Sequence, residues 1–146
     1  MKIISLWGKG KIGKTTVLVN LSKKLQSDKK TSNIIVKPNY DNTDITAVFV
    51  FDNKIIGITS YGDNEEVLID PFKIFKNTNC DLVFCAGRIK RTNNGSVKFL
   101  ERLRDEQNCE LIWVKKDYVE TVDRNRYQKE IDIINEYIVN MLYQMI

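Results

Sequence analysis

The stretch KIISLWGKGKIGKTTVLVNLSKKLQ, residues 2–26, fixes how the rest of the chain is read. Residues 2–7 are a short apolar run that ends at a glycine, the pattern of a strand. From Thr15 the period changes. Val17, Leu18, Leu21 and Leu25 recur at spacings of one, three and four, which predicts a helix with one apolar face to about Gln26. Between the two, residues 8–16 hold three glycines and three lysines in nine positions. Such a segment is poor core material, so its composition needs a cause other than packing.

Gly8-Lys9-Gly10-Lys11-Ile12-Gly13-Lys14-Thr15 fits G-x-x-x-x-G-K-[ST] at every fixed position. Glycines let a loop wrap around a phosphate with its N–H groups turned inward. The helix that follows offers unpaired N–H groups and the positive end of its dipole. Lys14 can reach β- and γ-phosphates, the Thr15 hydroxyl can bind Mg²⁺, and Thr16 can add a bond to the α-phosphate.

The stretch therefore resembles the Walker A loop of P-loop nucleoside triphosphatases. The resemblance implies a cofactor, ATP before GTP, with Mg²⁺, bound by Gly8, Lys9, Gly10, Lys11, Ile12, Gly13, Lys14, Thr15 and Thr16. Residues 9–16 also look like the deviant loop K-G-G-x-G-K-[ST]-T of MinD/ParA-type ATPases. There the first lysine reaches across a nucleotide-sandwiched dimer, a role that would fall to Lys9. The chain departs from that pattern at Lys11, where the family has glycine.

Working outward, NIIVKPN (33–39) reads as a second strand stopped by Pro38. Residues 45–63 hold two β-rich runs around Asp52-Asn53, a hairpin. Residues 64–78 look helical. Asp70-Pro71 either caps a fresh start or sits in one kinked helix. CDLVFCAG (80–87) is nearly all apolar, as a strand buried on both faces should be. A helix follows over 95–108, capped by Ser96, then a strand over 109–116. A long helix runs from Arg124, with Ile131, Ile134, Tyr137, Ile138, Met141, Leu142 and Met145 as its apolar stripe. It covers its own sheet or forms a dimer surface.

This alternation predicts an α/β fold in one P-loop nucleotide-binding domain, residues 1–146. The expected architecture is a three-layer sandwich: a mainly parallel sheet, one hairpin-linked antiparallel strand, and helices on both faces.

In such sheets ligands lie beyond the carboxyl ends of the parallel strands. Two loops qualify. In Ser60–Asn64, Asp63 can hold a metal-bound water or orient the nucleophile, or Asp63 or Asn64 can cap the next helix. In 87–95, Arg88 can contact the γ-phosphate and Arg91 can close as a lid, while Lys90 and Arg91 also suit a solvated loop. The catalytic candidates are thus Lys14, Asp63 and Arg88, and the metal candidates Thr15 and Asp63. A Walker B aspartate is wanting. VFVFD ends in Asp52, in the hairpin turn, and the 80s strand carries Ala86 where other families have Asp. LIWVKKD matches the guanine-reading N-K-x-D motif at Lys115 and Asp117 but has Val114 for its asparagine.

Composition narrows the chemistry. The chain has 146 residues, 42% hydrophobic and 29% charged, with a net charge of +4. That charge is too mild to indicate nucleic acid. Histidine is absent, which removes Ser-His and Cys-His pairs and any histidine base. Cys80, Cys85 and Cys109 read as reduced core residues. No run reaches the length of a membrane span and residues 3–7 do not form a signal peptide, so the expectation is cytoplasmic. The expected activity is slow NTP hydrolysis, activated by a protein partner or by homodimerisation. A small nucleotide or metabolite kinase and a non-hydrolysing regulatory module are the alternatives.

Overall fold

The computed structural model describes residues 1–9, 13–88, 93–116 and 125–146. Within them the order is β1 (Lys2–Gly8), α1 (Lys14–Ser27), β2 (Thr31–Val36), β3 (Thr46–Phe51), β4 (Lys54–Thr59), α2 (Glu66–Asn77), β5 (Leu82–Arg88), α3 (Ser96–Gln107), β6 (Glu110–Lys115) and α4 (Gln128–Gln144). The six strands form one mixed sheet in the order β2-β3-β4-β5-β1-β6. β1 lies between β5 and β6 and pairs in parallel with both. β4 is parallel to β5, and β3 is antiparallel to both β2 and β4. Only β3 runs against the rest.

The β3–β4 turn shows why the sequence reverses there. Asp52 and Asn53 both have positive φ, 49° and 63°, the pair of left-handed residues that a type I′ hairpin demands. Asx side chains tolerate that conformation better than any other non-glycine type.

Side chains alternate along each strand, so neighbouring residues enter different clusters. Ile4, Leu6, Phe49, Ile58, Leu82 and Phe84 pack with Val17, Leu18, Leu21 and Leu25 of α1 and with Val139 and Leu142 of α4. Ile3, Val48, Val83 and Cys85 pack with Leu68, Phe72 and Phe75 of α2 and with Leu100 and Leu103 of α3. Each fully buried side chain of this size contributes on the order of 1.5–3 kcal/mol. At the β1–β6 edge Trp7 and Trp113 meet edge to face, with ring centroids 6.1 Å apart. Cys80 and Cys85 are buried, Cys109 is half-buried, and all three are free thiols. Burial pushes the Cys85 thiol up to about 12, so it stays protonated as a core group.

One open alternative is settled and two local expectations change. Residues 66–77 form one helix that contains Pro71, so Asp70-Pro71 begins no new one. Ser96 does not cap α3. Gly95 is the N-cap, and the Ser96 hydroxyl instead accepts the Arg88 N–H at 2.9 Å. On α4 the buried stripe is Ile131, Asn135, Val139 and Leu142, while Ile134 and Tyr137 are exposed. The stripe is turned by about one residue, and a polar side chain sits at its centre. Among the described residues no helix is long and apolar enough to cross a membrane.

Candidate functional site

β1 delivers Gly8 to the carboxyl end of the sheet, and α1 begins six residues later at Lys14. Gly10, Lys11 and Ile12 lie outside the described residues, as do residues 89–92 with Arg91, and Asp117. Gly13 precedes the helix with φ 83°, a left-handed conformation that strains any residue bearing a Cβ. Helix α1 has no side-chain cap and no acidic residue in its first turn. Its positive end therefore lacks an anionic partner on the helix itself.

The Lys14 side chain folds back over the loop. Its ammonium donates to the Gly8 carbonyl at 3.0 Å and to the Lys9 carbonyl at 2.6 Å. Partial burial, together with the like charges of Arg88 and Lys116, holds the Lys14 ammonium down to about 8, against the opposing pull of Asp63. Three charged groups from three other parts of the chain thus act on Lys14 at this end of the sheet.

Asp63 and Arg88 come together as the strand-end rule requires. The guanidinium Nη1 lies 3.5 Å from Asp63 Oδ1. Gly62 makes this possible. A Cβ built there would lie 2.4 Å from the Ala86 carbonyl, so only glycine lets the loop after β4 rest on the β5 backbone. Neither residue is the N-cap of α2, which is Glu65; Asn64, one residue earlier, accepts the Val67 N–H at 3.2 Å. Asp52 sits in the β3–β4 turn, at the opposite end of the sheet from Gly8.

Thr15 has a partner that strand-end reasoning missed. Its hydroxyl donates to Asp44 Oδ1 at 3.3 Å, and the same carboxylate oxygen accepts from Ser60 Oγ at 2.8 Å. Ser60 Oγ in turn accepts the Ile45 N–H at 2.9 Å. Because β3 is antiparallel, its beginning lies beside the carboxyl end of β4, which carries Asp44 to the loop. A carboxylate and two hydroxyls are hard oxygen donors and suit Mg²⁺, which takes one or two protein carboxylates and completes its shell with phosphates and water. Among the described residues no group of three His, Cys, Asp or Glu is placed to hold a metal alone.

Lys116 and Asn135 complete the surroundings. Lys115 is exposed, whereas Lys116 is 3% exposed, with its ammonium 3.7 Å from where a Gly13 Cβ would stand. The Asn135 amide lies 3.6 Å from the same point. Lys9 and Thr16 are exposed. The lysine beside the loop is thus one residue later than the N-K-x-D comparison placed it. No protein-family model, curated protein or solved structure matches the chain.

Proposed function

We propose that this chain is a P-loop protein that binds a Mg-nucleoside triphosphate, ATP before GTP, and hydrolyses it slowly. We read its two side-chain clusters as the two faces of a three-layer α/β sandwich. The observation that carries the reading is the Lys14 ammonium, held by loop carbonyls at the uncapped positive end of α1. A phosphate offers that ammonium a stronger, charge-assisted partner than two carbonyls.

In this reading Lys14 takes up charge on the β- and γ-phosphates, and the amides of residues 13–15, with those of 10–12, cradle the chain of phosphates. Thr15 and Asp44 would hold Mg²⁺, which supplies charge neutralisation at the phosphate oxygens. Arg88 faces the γ-phosphate, and Asp63, paired with it, orients the attacking water. Water forms the new P–O bond as the bond to the β–γ bridging oxygen breaks, giving the diphosphate and inorganic phosphate. Dimerisation through Lys9 or a protein partner would speed the step.

One observation favours a second reading, a nucleotide-dependent regulatory module with no turnover. β5, which pairs directly with β1, ends in Ala86, Gly87 and Arg88 and brings no carboxylate to the loop. A stable complex with no product after long incubation would support it.

Isothermal titration with MgATP and MgGTP, with Lys14→Ala as control, tests the proposal. Saturable binding that the variant loses supports it. Unchanged affinity in the variant removes it.

A further inference from the structure

A groove of about 270 Å³ opens between α1 and α4, lined by Thr16, Asn20, Asp132, Asn135, Glu136 and Val139. It begins at the residue after Thr15, where the α-phosphate end of a nucleotide would leave the loop. Its size falls below the roughly 300–1,000 Å³ of pockets that enclose a whole drug-sized ligand. A sugar fits that scale better than a complete nucleoside.

The lining is rich in acceptors. Asp132 and Glu136 stand one turn apart on the same helix face, and carboxylates there repel phosphate while accepting hydroxyl protons. Asp132 already accepts from Gln128 Nε2 at 2.7 Å, through one oxygen. Asn135 is the more telling residue. It is 5% exposed, and its Oδ1 is buried with no hydrogen-bond partner among the described residues. Buried side-chain acceptors are nearly always paired, so an orphaned one beside a groove marks a place for a donor. The same amide lies 3.6 Å from the Cβ position of Gly13, which joins the groove to the phosphate loop.

We infer that the α1–α4 groove is a ribose subsite, in which Asn135 Oδ1 and the Glu136 carboxylate accept hydrogen bonds from the sugar hydroxyls of a ribonucleotide. This rests on the nucleotide-binding reading above. It adds that α4 selects ribonucleotides over 2′-deoxyribonucleotides and over bare polyphosphate.

Titrations of the full chain with MgATP, Mg-2′-deoxy-ATP and Mg-tripolyphosphate test it, using wild type, Asn135→Leu and Glu136→Gln. Ile133→Ser, on the exposed face of α4, is the control. Leucine keeps the branched heavy-atom skeleton of Asn135 and removes the orphaned amide, so this variant should fold with an unchanged or higher Tm. Wild type is expected to bind MgATP about tenfold more tightly than the deoxy form, the scale of one hydrogen bond to a charged group. Both groove variants should shrink that ratio towards one, while Ile133→Ser preserves it. Equal binding of ATP and deoxy-ATP by wild type, or a preference that both groove variants retain, overturns the inference. Tripolyphosphate separates the two claims. If it binds and the sugar makes no difference, the phosphate loop stands and the subsite falls. If neither it nor ATP binds, both fall.

Discussion

Asp44 accepts a hydrogen bond from Thr15 across 29 residues of sequence, at 3.3 Å. The two meet because β3 alone is reversed in the sheet, so the residues before it arrive at the rim where β1 and β4 end. The contact places a carboxylate against the hydroxyl of the G-K-T sequence without any acidic residue at the end of β5.

Asp44→Asn is therefore expected to weaken Mg-nucleotide binding about tenfold while leaving binding of the metal-free nucleotide unchanged, the loss of one charged ligand. Titration with and without Mg²⁺ checks this. Should Asp63→Asn remove the Mg²⁺ dependence while Asp44→Asn retains it, the metal carboxylate is Asp63.

Lys14 gives the site a pH dependence. With the ammonium held down to about 8, Lys14 loses its proton as pH rises through that value in the free protein. Bound phosphate favours the charged form, so affinity should fall by up to about tenfold per pH unit above 8, and binding near pH 8.5 should take up a proton. Calorimetry in buffers of different ionisation enthalpy measures that uptake. Lys14→Arg should flatten the profile.

The same shift has a folding counterpart of definite sign. The folded value lies below the ordinary lysine value of 10.5, so between about pH 8 and 10.5 the unfolded chain holds more protons than the folded one. Lys14 then adds to stability as pH rises through that window, and the gain disappears as pH falls through 8. Lys14→Met should remove this component of the slope in urea titrations at pH 8, 9 and 10.

Gly62→Ala pushes a methyl group to within 2.4 Å of the Ala86 carbonyl. The loop must lift from β5, at an expected cost of about 1–3 kcal/mol in urea unfolding. The Asp63–Arg88 pair would separate with it. A variant of wild-type stability would show that the loop is not seated on β5.

Asn53→Val puts a β-branched residue at φ 63° in the β3–β4 turn. An expected loss of about 1–2 kcal/mol follows from the left-handed conformation alone. Asn53→Gly should keep wild-type stability or raise it slightly in the same assay.

What the sequence disclosed follows from how local each signal is. The strand–glycine–helix order of residues 2–26, the Asp52-Asn53 reversal and the apolar β5 run are written in neighbouring residues, and the structure has them at those places. The Asp63–Arg88 pair was reachable through the rule that ligands gather at strand ends. Asp44 is not, because that rule points only to residues that follow parallel strands. For an antiparallel strand the residues before it reach the same rim, so recognising the hairpin was the available signal. Asn135 was hidden differently. A polar residue among Ile131, Ile133, Ile134 and Ile138 is assigned to the solvent side by pattern, and only the packing of α4 on α1 turns it inward. Ser96 suits a cap by its place before an apolar run, but its competing partner, the Arg88 amide, is set by the β5–α3 approach.

The chain's two tryptophans, Trp7 and Trp113, are the pair that meets edge to face at the β1–β6 seam. Trp7 directly precedes Gly8, and Trp113 stands three residues before the buried Lys116. All the indole emission of the protein thus originates beside the glycine-rich loop. Charge arriving there, or a move of Lys14, would change the field at those rings and give the unlabelled protein its own optical gauge of the proposed site.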